Sequence, residues 1–95
     1  MAASDPNVSG KWRRDTALPF QRLADETIVV DPQRREVHLL NETAARVWEL
    51  LEAPLTVQDI VVALADEYDA ADDELRVAVS ELIVELSEKA VFVRA

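Results

Sequence analysis

Few residues in this chain have the types and spacing that catalysis demands. His38 is the sole histidine, and there is no cysteine. Thiolate zinc sites, disulfides and cysteine nucleophiles are therefore excluded, and a lone histidine offers neither a metal set nor a nucleophile–base pair. Ser80 and Ser87 have no histidine near them in sequence, and a single glycine cannot build a phosphate-cradling loop. The carboxylates of Asp66, Glu67 and Asp69, and of Asp72, Asp73 and Glu74, lack the alternation and the central glycine of a calcium loop, which leaves them as solvated faces. The chain reads as a binding module rather than an enzyme, with no cofactor and no metal.

The charge narrows what such a module binds. The formal net charge is −9. Residues 1–40 hold six basic and six acidic side chains, whereas residues 41–95 hold four basic against thirteen acidic. Nucleic-acid binders draw most of their affinity from neutralising phosphates, so an acidic C-terminal half argues against DNA and RNA. No stretch approaches the ~20 apolar residues of a membrane span, and residues 1–10 are too polar for a secretory signal. A cytoplasmic protein is the expectation, as monomer or homodimer.

The elements that must position any binding surface meet at Val37 to Trp48. Val37 and Leu39 alternate as in a strand; after Asn41, a residue type suited to capping, Ala44, Val47, Trp48 and Leu51 recur at helical spacing. Upstream, residues 1–16 with Pro6 and Gly10 read as a disordered or loosely attached tail, in which Trp12 is the one aromatic residue. The domain itself is expected over 17–95. Ala17 to Leu23 reads as a short extended segment, and Thr27–Val30 and Glu36–Leu40 as a hairpin turning at Asp31–Arg35. The first helix is expected over 42–52, ended by Pro54; the second starts at Thr56, with Asp59 completing a capping box; the third spans 73–89. Val57, Ile60, Val61, Leu64 and Tyr68 form the apolar stripe of the second helix, and Leu75, Val79, Leu82, Ile83 and Leu86 that of the third. Val77 and Val84 lie outside that last stripe, either packing on a second side or lining an open groove. The fold class is α+β and winged-helix-like: a three-stranded antiparallel sheet followed by a three-helix bundle.

In their order and spacing, the stretches ETIVVDPQRREVHLLNETAARVWELL, TVQDIVVALADEYDA and ELIVELSEKAVFV resemble the PqqD-like family of precursor-peptide recognition elements. The resemblance covers roughly Leu18 to Val93. Ala53-Pro54 stands where the family commonly has Asp-Gly, and Ala90 where it commonly has glycine, which concerns the local turns. The resemblance implies a non-catalytic peptide chaperone. It would take the leader of a ribosomally made precursor peptide as an added strand and deliver it to a separate modifying enzyme, such as a radical SAM enzyme, a cyclase or a leader peptidase. On that reading Glu36, Val37, His38, Leu39 and Leu40 offer the sheet edge, and Arg76, Val77, Ser80 and Val84 belong to the groove beside it. The alternatives are a winged-helix DNA-binding protein, against which the acidic last helix stands, and a general protein–protein adaptor.

Overall fold

The computed structural model describes residues 8–95. Its elements are β1 (Lys11–Arg14), β2 (Phe20–Leu23), β3 (Glu26–Asp31), β4 (Glu36–Leu40), α1 (Glu42–Leu50), β5 (Leu55–Thr56), α2 (Val57–Glu67), α3 (Asp72–Glu88) and β6 (Phe92–Arg94). The α+β architecture and its three helices match the expectation. A second sheet does not appear in it: the strands form two antiparallel sheets, ordered β2-β3-β4 and β5-β1-β6.

The second sheet corrects the reading of residues 1–16. Residues 1–7 lie outside the described part, but Lys11–Arg14 is a strand paired on both sides, Trp12 facing Leu55 on β5 and Arg94 on β6. Trp12 is buried, its Nε1–H donates to the Val8 carbonyl at 2.9 Å, and the Arg94 guanidinium lies 4.4 Å from its ring centroid. Burying an indole of this size, together with ladder bonds on both sides of the strand, offsets the entropy of ordering its four residues. The backbone N–H groups of Arg14 and Asp15 then donate to Leu51 and Val91, tying the strand to the end of α1 and to the chain before β6.

The first sheet, the wing, is fixed by two tight turns. Leu23 pairs with Glu26 across Ala24, which adopts φ +54°. Asp31 pairs with Glu36, and its Oδ1 accepts from the backbone N–H groups of Gln33 and Arg34 at 3.1 Å each, the local bonding that suits aspartate to turns. The helices start where the sequence says they should. Asn41 Oδ1 accepts from the Ala44 N–H at 3.0 Å, and Thr56 and Asp59 make a complete capping box. α1 stops at Leu50, two residues short of the expected Glu52, and α3 ends at Glu88.

Trp48 joins the layers. It is 1% exposed, so its burial contributes on the order of 5 kcal/mol before entropic costs. Phe20 of the wing meets it edge-on at 5.3 Å, and Phe92 of the second sheet stacks at 6.4 Å. The Arg14 guanidinium covers both the Trp48 and Phe20 rings, at 5.1 and 4.9 Å. Ile60, Val61 and Leu64 of α2 and Leu75, Val79, Ile83 and Leu86 of α3 complete the core.

Candidate functional site

The wing has two edge strands, β2 and β4, and the backbone register says which groups of β4 face outward. The Val30 N–H donates to the Pro19 carbonyl, on the β2 side, at 2.9 Å. Both backbone groups of a residue in an antiparallel strand point to the same side, and the sides alternate along the chain. Val30 and Ile28 therefore bond toward β2, while Thr27, Val29 and Asp31 bond toward β4. Their partners are Leu40, His38 and Glu36. Val37 and Leu39 are left with their N–H and C=O groups directed away from the sheet: two donors and two acceptors on an unpaired edge.

Beside this edge lies a cavity of about 280 Å³, walled by Val37–Asn41 and Ala44 on one side and by Leu82, Glu85 and Leu86 of α3 with its C-cap Lys89 on the other. The α3 residues recur every three or four positions, so they form one line along the helix. Lys89 and Glu85 pair across a turn at 3.5 Å. A second depression, of about 370 Å³, continues along α3 at Ser80, Glu81, Val84, Glu85 and Glu88, and shares Glu85 with the first.

The expected site residues fall out unevenly against this geometry. Glu36 to Leu40 form the open edge strand, and Val37 to Leu40 line the cavity. Ser80 and Val84 line the adjoining depression rather than the one beside β4. Arg76 and Val77 line neither; Arg76 bonds Gln58 of α2, and Val77 is 60% exposed. Sequence reasoning placed Leu82 and Leu86 in the core stripe and gave Glu85 and Lys89 no role. Positions 82, 85, 86 and 89 share one flank of the buried stripe, and it is the packing of the helix against β4 that singles out this flank.

Strand alternation also reveals a surface that composition hid. Ile28 faces Leu39 and Val30 faces Val37 across the strands, on the side of the wing turned away from the helices. Leu39 and Val37 are 61% and 66% exposed, and Leu23 and Val30 belong to the same exposed face. A strand added to β4 extends this apolar face on one side and fills the cavity on the other.

A larger depression, of about 460 Å³, lies between the wing and the helices, but both of its cations are already paired. Arg22 contacts Glu49 at 2.7 Å, and Arg46 bridges Glu49 at 3.3 Å and Glu67 at 2.7 Å. The hydrogen bond from Arg46 holds the Glu67 carboxyl below its ordinary value, and the same bond raises Arg46. This chain of ions ties β2 to α1 and α2. Among the described residues no group of acidic or histidine side chains is placed to hold a metal ion, and no helix is long and apolar enough to cross a membrane.

A family model described as coenzyme PQQ synthesis protein D (PqqD) matches residues 26–91. Among solved structures, the chain is similar to TbiB1 in complex with the TbiA(beta) leader peptide, at TM-score 0.77 and 21% identity over 84% of this chain and 93% of that one. It is also similar to the solution NMR structure of the PqqD truncation of Methylobacterium extorquens PqqCD. That protein is described as a functional, stand-alone recognition element for ribosomally synthesised and post-translationally modified peptides, and the likeness has TM-score 0.75 and 20% identity over 92% and 93% of the two chains. No curated protein matches. At these identities the structural likeness establishes a shared fold.

Proposed function

The chain belongs to the PqqD family, and from that premise we propose that it binds the leader of a ribosomally made precursor peptide as a fourth strand of the wing and itself catalyses nothing. One observation carries the proposal. Val37 and Leu39 present four unpaired backbone groups beside a cavity between β4 and α3. An exposed edge of this kind recruits a strand: main-chain hydrogen bonds supply affinity and alternate side chains entering pockets supply selectivity. The two similar structures, one holding a leader peptide and one a stand-alone recognition element, agree with this use of the fold.

The proposed site consists of Glu36 to Leu40 with Leu82, Glu85, Leu86 and Lys89. Ser80 and Val84 extend it along α3, and Arg76 and Val77 take part only if the peptide continues past the second depression. The captured peptide is passed to a separate modifying enzyme, for which a radical SAM enzyme, a cyclase and a leader peptidase are the candidates. Nothing in the geometry favours duplex DNA. α3 carries Asp72, Asp73, Glu74, Glu81, Glu85 and Glu88 against Arg76, which repels a phosphate backbone.

The test is a titration of the ¹⁵N-labelled chain with the leader segment of a precursor peptide encoded beside its gene. The amides of Val37, Leu39 and residues 82–89 shift together as a strand is added. Binding that leaves β4 and α3 unmoved overturns the proposal.

A further inference from the structure

Nε2 of His38, the sole histidine in the chain, makes no hydrogen bond within the described domain. Alternation places its side chain on the inner face of β4, between those of Glu36 and Leu40. The side chain is 10% exposed, and Nε2 is buried without a hydrogen-bond partner among the described residues. Glu36 Oε1 stands 3.8 Å away, beyond hydrogen-bond reach. The indole nitrogen of Trp48 is buried and unpartnered too, but it sits inside the core. His38 instead forms part of the wall of the cavity between β4 and α3.

A buried polar atom with no partner is costly, and the cost is recovered by whatever brings one. If a peptide strand adds to β4, every second side chain enters the space between β4 and α3, and one of these stands beside His38. The charges around the cavity select its chemistry. Glu36 stands 3.8 Å from the ring nitrogen, and the one cation of the wall, Lys89, is engaged by Glu85 at 3.5 Å. A carboxylate on the peptide adds a third negative charge. An aliphatic side chain seals the cavity and leaves Nε2 unpaired. A neutral hydroxyl or amide can donate to Nε2 and brings no charge with it.

We propose that His38 determines specificity in the peptide site: its Nε2 accepts a hydrogen bond from a serine, threonine, tyrosine, asparagine or glutamine on the inner face of the bound strand. The proposal rests on the strand-addition reading above. Because the chain has one histidine, selective ¹⁵N-histidine labelling of the full chain gives a single imidazole to follow. The probe is the same synthetic leader peptide, with variants in which each polar residue in turn becomes alanine or aspartate. The Nε2 resonance is expected to move as the β4 amides move. One alanine replacement then removes the ring shift and weakens binding about tenfold, the aspartate at that position is no better, and His38→Phe binds the parent and that variant within twofold of each other. Movement of the β4 amides with an unmoved ring nitrogen overturns the proposal while leaving peptide binding intact, and so does discrimination that survives His38→Phe. If the β4 amides themselves do not move, strand addition fails and this assignment falls with it. The ring resonance of the unaltered chain decides the matter should His38→Phe fail to fold.

Discussion

The two sheets have the same strand count and opposite relations to their surroundings. In the small sheet β1 is held between β5 and β6, and those outer strands are only two and three residues long. Edges that short offer little for another chain to join. In the wing β3 takes the centre, and the five-residue β4 leaves the backbone groups of Val37 and Leu39 open beside a cavity. The central side chain of the small sheet, Trp12, is 4% exposed, whereas Val37 and Leu39 of the open strand are more than half exposed. One sheet closes the core and the other is available to a partner, so changes in the first should act on stability and changes in the second on binding.

The largest effect tests the closed sheet. Trp12→Ala removes a buried indole and should destabilise the domain by about 3–5 kcal/mol, read as a lower urea midpoint. Leu39→Ala, on the open strand, should stay within about 0.5 kcal/mol. Equal losses at the two positions would break the comparison.

Next comes the edge itself. Leu39→Pro removes an N–H that faces away from the ladder and places a ring against the incoming strand, so leader affinity should fall more than tenfold by calorimetry with little loss of stability. His38→Pro removes an N–H that faces β3 and should unfold the wing. If the two prolines behave alike, the assignment of outward-facing groups is wrong.

Smaller effects belong to the helix ends that hold the sheets in place. Thr56→Ala breaks the capping box and should cost about 1 kcal/mol by denaturant titration. The same bonds, from the backbone and side chain of Thr56, hold the Asp59 carboxyl below its ordinary value of 3.8. A carboxylate depressed in the folded state stabilises fully above its unfolded value, and that contribution disappears as pH falls through the folded one. Asp59→Asn, which removes the titrating group, should therefore flatten the acid limb of the stability profile below about pH 4, whereas Thr56→Ala keeps the backbone N–H that is the larger cause and should leave most of that limb. An unchanged limb in Asp59→Asn would count against the cap. Finally, Ala90 sits at φ +58° just past α3, with its N–H donating to Ser87 and that of Val91 to Leu86. This is a Schellman ending with a β-carbon where glycine is preferred. Ala90→Gly should raise stability by about 0.5–1 kcal/mol, seen as a small rise in Tm.

These contrasts also show what a sequence exposes. The hairpin, the Asn41 cap, the Thr56–Asp59 box and the stripes of α2 and α3 follow from local periodicity and local hydrogen bonding, so residues a few positions apart suffice to find them. β1 does not, because Lys11-Trp12-Arg13-Arg14 has a single apolar residue and its partners lie more than forty and about eighty positions away. The edge strand was legible for the same reason as the hairpin. Its α3 wall was not: choosing Leu82, Glu85 and Lys89 over Val77 and Val84 requires the rotation of α3 against β4, which packing sets and a helical wheel leaves free.

The antiparallel pairing of β1 with β6 has a mechanical consequence. Trp12 lies opposite Arg94 and Arg14 opposite Phe92, and the Ala95 N–H closes onto the Lys11 carbonyl at 3.0 Å. The chain therefore enters β1 and leaves β6 at the same end of the sheet. Tension applied through residues 11 and 94 loads these bonds one after another, as a zip opens, instead of all together in shear. Pulled by its ends, the domain yields first at the small sheet, and the wing with its open edge bears no load until β1 has peeled away.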